Sequence, residues 1–250
     1  MSFLNRVCEA NRKLNDRFFP RGELRYVYRF RELACELSRD EQLVLHLGSG
    51  CGDLGSCPQL ASKKLQVLNL DIGHRDLRKN PGRLRVCADG QALPLGANSV
   101  DLICSEHVFE HFPRPQRVLE ECSRVLKGGG HLLVSGPNGW SYVALLARVT
   151  PVRFHDFVHR LGSATSGNER SAWPTFYRFS TPVTIRRMAR RTGFAVVSTH
   201  TFVGEPCYTT FLPVLHLLFV AYHKLLEKLN PIFNFHLTSV VVLRKAAAKE

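Results

Sequence analysis

The sequence has no CxxC pair among its eight cysteines, at positions 8, 35, 51, 57, 87, 104, 122 and 207. A zinc site or a disulfide framework needs closer or more regular spacing, so these residues are expected to be buried, reduced thiols. An apolar stretch fit for a signal peptide is also missing, because the first twenty residues carry Arg6, Glu9, Arg12, Lys13, Asp16 and Arg17. Export is not expected, and the chain reads as cytoplasmic. The longest greasy run, 211–222, is interrupted by Pro213 and His216 and is shorter than the roughly 20 residues that cross a bilayer. No internal repeat or low-complexity tract is present. Acidic residues are scarce too, 21 against 34 basic ones, and the imbalance is local. Segment 140–191 holds nine basic residues against two acidic, whereas 41–139 holds eleven against ten. Such a field attracts polyanions: nucleic acid, anionic headgroups or a phosphorylated substrate.

What is present is a rhythm. Short aliphatic, β-branched runs at 43–47, 65–71, 84–88, 100–104 and 131–135 alternate with stretches able to hold helices. That alternation implies an α/β fold with a mostly parallel sheet wrapped on both faces. A helix is predicted over 115–127, with Pro115 in its first turn, an apolar stripe from Val118 to Leu126, and Gly128 to Gly130 as its stop. A second is predicted after Thr181, ending at Gly193, followed by strands at 195–199 and 239–243. Residues 1–38 read as two basic amphipathic helices. Val214 to Leu229 reads as a helix with His216, His223, Lys224, Glu227 and Lys228 along a narrow polar edge. At 250 residues with 44% hydrophobic content, a single domain is expected: N-terminal helices to residue 40, a cofactor-binding half over 41–138, and an acceptor-side half over 139–250 with insertions at 139–176 and 201–237.

The chemistry starts at LVLHLGSGCGDLG, residues 43–55. Glycines directly after a strand let a ligand approach the main chain with no Cβ in the way, and expose amide donors at the start of a following helix. Two registers compete. Gly48-x-Gly50-x-Gly52 suits an adenosylmethionine loop, and Gly50-x-Gly52-x-x-Gly55 satisfies the dinucleotide fingerprint. Asp71, ending the second strand, can accept ribose hydroxyls in either site, and Asp89 follows the third strand. No Tyr-x-x-x-Lys pair serves a short-chain reductase.

The ordered set HLGSGCG (46–52), LNLD (68–71), ADGQALPLGANSVDLICSEHVFEH (88–111) and LEECSRVLKGGGHLLVSGPN (119–138) resembles the class I S-adenosylmethionine-dependent methyltransferases, particularly the bacterial small-molecule group. The resemblance implies a Rossmann-like seven-stranded sheet of order 3-2-1-4-5-7-6 and S-adenosyl-L-methionine as cofactor. It assigns cofactor binding to Gly48, Ser49, Gly50, Gly52, Asp71, Ile72, Asp89, Gly90 and Ser105, and no metal. The likeness departs at His46, where many relatives carry an acid that helps hold the cofactor's ammonium group. Methyl transfer from a sulfonium needs alignment, desolvation and, for a hydroxyl nucleophile, a base. His107 and His111 are the candidate bases, near where the methyl group emerges; bracing of the following turn is the competing role for His111 and Glu110.

The acceptor side is rich in aromatics beside positive charge, as at 154–160 and 173–178, which suits a small or lipid-like, anionic acceptor. Oxygen is the expected nucleophile. The 214–229 helix is expected to cover the pocket or touch a membrane surface. Two other functions are compatible with the charge and the altered His46: an RNA methyltransferase, for which no NPPY-type tetrad is present, and a non-catalytic partner-binding subunit.

Overall fold

The computed structural model describes residues 3–19, 24–141, 144–145, 173–203, 210, 212–229 and 236–247. Two compact units make up the chain. One comprises Val27–Pro137, Pro174–His200 and Ser239–Glu250; the other Met1–Tyr26, Asn138–Trp173 and Thr201–Thr238.

The first unit is built on a seven-stranded sheet of order β3-β2-β1-β4-β5-β7-β6, the expected topology. Its strands are β1 (Leu43–Leu47), β2 (Gln66–Asp71), β3 (Leu84–Cys87), β4 (Val100–Glu106), β5 (Leu126–Pro137), β6 (Phe194–Phe202) and β7 (Thr238–Lys245). β1 pairs in parallel with β2 and β4, β2 with β3, and β4 with β5. Central parallel strands are covered on both faces, so their side chains can be apolar at consecutive positions. Leu45, Ile103 and Leu132 are all fully buried. The helices include α3 (His74–Lys79), α4 (Pro115–Val125) and α5 (Pro182–Arg191). α4 buries Val118, Leu119, Cys122 and Val125. α5 starts as expected: the Thr181 side chain accepts from Thr184 N, Thr184 reciprocates, and Pro182 occupies the first turn. Past its end Gly193 takes φ +78°.

Three expectations need correction. The glycine loop is followed not by an α-helix but by a 3-10 turn, Leu54–Ser56. Gly52, Gly55 and Pro58 oppose a helix there, and Asp53 caps the short turn instead, accepting from Gly55 N. Next, Gly128 to Gly130 do not stop α4; they lie inside β5, which begins at Leu126. They form a bulge: Val100 pairs with Leu126, while Leu102 pairs with His131. A Cβ on Gly130 would stand 2.9 Å from Asp101 O. Finally, the thiols are not uniformly buried. Cys8, Cys57, Cys104 and Cys122 are, Cys35 is half-buried, and Cys51 and Cys87 are exposed.

The second unit contains α1 (Phe3–Phe18) and α6 (Pro213–Leu229). α2 (Leu24–Leu37) begins in this unit and continues into the first. α1 and α6 bury apolar side chains, Cys8, Val220 and Leu226 among them, together with polar groups. Asn11 Nδ2 donates to Thr210 O at 2.8 Å, and His216 Nε2 meets Asn11 O at 3.2 Å. The Phe19 ring stands edge-on to His223, and the Lys224 ammonium lies 4.7 Å above that phenyl ring. Arg25 pairs with Glu227 at 2.9 Å. The histidine edge predicted for α6 therefore turns inward, with His216 and His223 at 0% exposure, while Val214 (75%), Leu217 (55%), Leu218 (62%) and Leu225 (53%) face out. No helix among the described residues is long and apolar enough to cross a membrane. The aromatic and basic cluster expected at 154–160 lies outside the described residues.

Candidate active site

β1 ends at Leu47, and the chain turns at once through Gly48 at φ +73° and Gly50 at φ +50°. These two glycines are required for different reasons. A Cβ on Gly48 would lie 2.3 Å from Val108 Cγ2, so the turn after β4 rests directly on the loop. A Cβ on Gly50 would meet nothing within 4 Å; there the bare backbone borders open space. Gly55 packs against β2, its Cβ position 3.1 Å from Val67 Cγ2, which is a packing role and not a phosphate-binding one.

The loop is clamped from below by residues that motif reasoning missed. Asn80 Nδ2 donates to Gly50 O at 3.1 Å and Gly52 O at 2.7 Å, and its Oδ1 accepts from Gly82 N at 2.8 Å. Gly82 cannot carry a side chain, since its Cβ would sit 2.1 Å from Asn69 Nδ2. The signal was there: Asn80-Pro81-Gly82 is strong turn chemistry, though nothing local says which backbone it grips.

His46 belongs to the same layer. Asn69 Nδ2 is spent on Asp53 Oδ1 at 2.9 Å, so Asn69 Oδ1 faces His46 Nδ1 at 3.2 Å. That nitrogen therefore carries the proton. Burial pushes the imidazole below its usual pKa, against the opposing influence of the Asn69 bond and of Asp53 and Asp71. His46 is a buried neutral brace in the position where the resemblance led one to expect an acid.

The two acids at strand ends behave differently. Asp71 Oδ2 accepts from Gly50 N at 2.7 Å and Oδ1 from Gly73 N at 2.6 Å. It ties the glycine loop to the turn after β2, and each oxygen keeps a further lone pair. Asp89 instead caps its own turn, accepting from Gln91 N at 2.8 Å. Neighbouring Gly90 approaches two other parts of the site: its Cβ position is 3.0 Å from Phe112 Cζ and 3.2 Å from Leu47 Cδ1. Ile72 is 57% exposed. Ser49 and Ser105 are buried with no hydrogen-bond partner for their hydroxyls among the described residues. Buried hydroxyls without partners are uncommon in a native fold and mark places where a ligand completes the bonding.

β4 delivers Glu106, whose carboxyl is pushed up by burial, and then His107 at φ +54°. A 3-10 turn, Phe109–His111, comes next. Phe109 anchors it in the core against Phe112 and Phe179, at ring separations of 5.5 and 4.9 Å. Glu110 is buried, with Oε1 3.3 Å from His107 Nδ1. His111 Nδ1 donates to Pro174 O at 3.0 Å, and Phe176 N donates to Glu110 O at 2.7 Å. Both bonds staple the turn to the strap at 174–177. Because Nδ1 of His111 is committed to a carbonyl, its neutral ring keeps Nε2 as the basic nitrogen. Among the described residues no three His, Cys, Asp or Glu side chains come together as a metal site.

The structure thus brings Gly48, Ser49, Gly50, Gly52 and Asp71 into one loop assembly, and joins it to the His107 turn through Val108 and to Gly90 through Leu47 and Phe112. Architecture and loop together define the class I methyltransferase fold. Residues 47–134 match a family described as the methyltransferase domain. Two curated relatives illustrate the likeness. The demethylmenaquinone methyltransferase of Thermotoga maritima is 27% identical over 78% of this chain and 88% of its own length. The malonyl-[acyl-carrier protein] O-methyltransferase of Methylococcus capsulatus is 38% identical over 37% of this chain, and only 36% of that relative is spanned. A solved S-adenosylmethionine-dependent methyltransferase from Mesorhizobium loti superposes with a TM-score of 0.53 at 18% identity, covering 86% of this chain and 95% of its own. Residues 47–134 thus match the methyltransferase domain family, and the chain spans less than half the length of several curated relatives that it matches.

Proposed function

We propose that the chain transfers a methyl group from S-adenosylmethionine to a small-molecule or lipid-like acceptor, on oxygen, in the cytoplasm. One observation carries the cofactor assignment: the open space at the Gly50 Cβ position, beside the Asp71 carboxylate that holds Gly50 N. The residues present fit the donor. Gly48, Ser49, Gly50 and Gly52 would line its amino-acid and ribose portion, and Asp71 would take the ribose hydroxyls on its remaining lone pairs. Ile72, Asp89 and Gly90 would border the adenine, with Ser105 beneath. Bound there, the donor supplies an already activated methyl group. The chain's own work is alignment, exclusion of water and removal of the acceptor's proton by His107 or His111.

The lipid-like acceptor draws support from the relatives' names, one of which acts on demethylmenaquinone, and from α6. Its outward face, Val214, Leu217, Leu218 and Leu225, repeats at helical spacing and suits peripheral contact with a bilayer surface. Calorimetry with adenosylhomocysteine tests the core of this reading: micromolar binding is expected, and absence of heat rejects the enzyme. Sedimentation with anionic liposomes at low salt tests the surface contact, which is abandoned if the protein stays in the supernatant.

A further inference from the structure

The charge excess of the sequence comes to a focus that methyl transfer does not use. α5 carries Arg186, Arg187, Arg190 and Arg191 and no acid, and the sequence from 170 to 204 contains neither Asp nor Glu. At about 100° per residue, these four arginines and Val183 fall within an arc of about 140°. All five are exposed, Val183 at 59%, while Ile185 and Ala189 are buried on the other side of the helix. No ion pair among the described residues involves any of the four arginines. α4, which packs beside α5, does not compensate them. Its own acids, Glu120 and Glu121, are paired with its own Arg117 and Arg124.

Such a face costs the helix stability. The helix dipole favours cations in the last turn, which accounts for Arg190 and Arg191. It does not account for Arg186 and Arg187, and the pairs Arg186–Arg190 and Arg187–Arg191 set like charges four residues apart, where they repel. Each pair is separated by about 6 Å along the axis, which is also the spacing of carboxylates four residues apart on another helix. A guanidinium presents a planar fork of donors that grips a carboxylate through two bonds, and Val183 offers an apolar seat one turn before Arg187. A bilayer is a poorer fit, because the apolar side of α5 is buried. Nucleic acid is a poorer fit too: α5 has no aromatic side chain for a base to stack on, and the arginines extend only about 7.5 Å along it.

The geometry points to an acidic α-helix of a partner protein as the occupant of this face, with carboxylates four residues apart and an apolar side chain against Val183. None of the five residues belongs to the glycine-loop assembly or to the turn after β4, so the docking goes beyond methyl transfer and does not rest on it.

The test is fluorescence anisotropy of a labelled helical peptide, with glutamates in two rows four residues apart around one leucine, titrated with the full chain at low and at physiological salt. Binding is expected, weaker at the higher salt. A peptide of the same composition with its glutamates spread around the helix should bind more weakly by about threefold or more. Arg186→Glu combined with Arg187→Glu should lose about tenfold or more, with the thermal unfolding transition retained. Should that variant not fold, Arg186→Gln combined with Arg187→Gln replaces it, with a loss of about threefold expected. No binding by wild type, equal binding of the two peptides, or unchanged affinity in the arginine variants overturns the inference. Tighter binding of oligouridylate or of phosphatidylglycerol vesicles, abolished by the same variants, overturns it as well.

Discussion

The two units of this chain differ in how much of the helical interior is polar and how much of the sheet interior is aliphatic. Around the sheet, leucine, isoleucine and valine are inside: Leu45, Ile103, Leu132 and Leu243 are fully buried. In the helical unit polar groups share the inside: Asn11, Asn15, His216 and His223 are buried beside Cys8, Phe19, Val220 and Leu226, while five aliphatic side chains of α6 are exposed. A sheet core draws its stability from apolar area removed from water, about 25 cal/mol per Å2. The helix pair adds to its own apolar burial hydrogen bonds that are individually modest, about 1 kcal/mol each. The difference teaches that the sheet unit depends most on apolar burial, and that the outward aliphatic side chains of α6 are available for contact with something else.

Core truncation should give the largest effect. Ile103→Ala is expected to cost about 3 kcal/mol or more in urea unfolding, whereas Leu218→Ala should stay within about 0.5 kcal/mol and weaken liposome binding. Equal costs would break the comparison. Within the sheet unit, Gly48→Ala forces a Cβ onto Val108 and should destabilise by about 2–3 kcal/mol. Gly50→Ala should cost only about 1 kcal/mol yet lower adenosylhomocysteine affinity more than tenfold, because its methyl group projects into the crevice. If the two alanines behave alike in both measurements, the open space beside Gly50 is not the cofactor's.

Acid should act on both units in the same direction. Burial pushes His46 in the sheet unit and His216 in the helical one below the ordinary value of 6.5. The unfolded chain then binds protons there that the folded chain refuses, so stability is complete above pH 6.5 and falls as the pH drops below it. Glu106 works the other way, its carboxyl being raised above 4.5 by burial. The comparison is therefore made as a difference: Tm of His46→Asn should fall less steeply than wild type from pH 7.5 to 5.5. Parallel slopes would remove His46 from the account. The smallest effect is expected at the surface pair Arg25–Glu227, where Arg25→Ala should cost no more than about 1 kcal/mol by thermal unfolding.

Much of the sheet was legible because fully buried parallel strands are written as uninterrupted aliphatic runs. The start of the glycine loop was legible too, since Gly48 comes directly after Leu47 with no residue between. The loop's exit was not: a glycine loop usually opens a helix, and only the low helix propensity of Gly52, Gly55 and Pro58 argued for the 3-10 turn that forms. Gly128 to Gly130 announced irregular backbone without saying whether a helix was ending or a strand was bulging. The close approach to Asp101 O decides that, and it comes from another strand. Asn80 and Gly82 went unnoticed as parts of the site because their partners, Gly50, Gly52 and Asn69, lie outside any local pattern. Glu110 was read as a brace for its own turn, but its tie to the 174–177 strap, where Phe176 N donates to its carbonyl, joins segments far apart in sequence.

The amino-acid order alone determined the alternation of strands and helices, the place of the bare-backbone turn, and which two stripes α6 would carry, since periodicity and propensity are properties of neighbouring residues. The folded molecule decided which of those stripes faces inward, which amides Asp71 engages, and that the His46 imidazole is buried against Asn69. Burial and hydrogen bonding depend on groups that meet only after distant segments pack together.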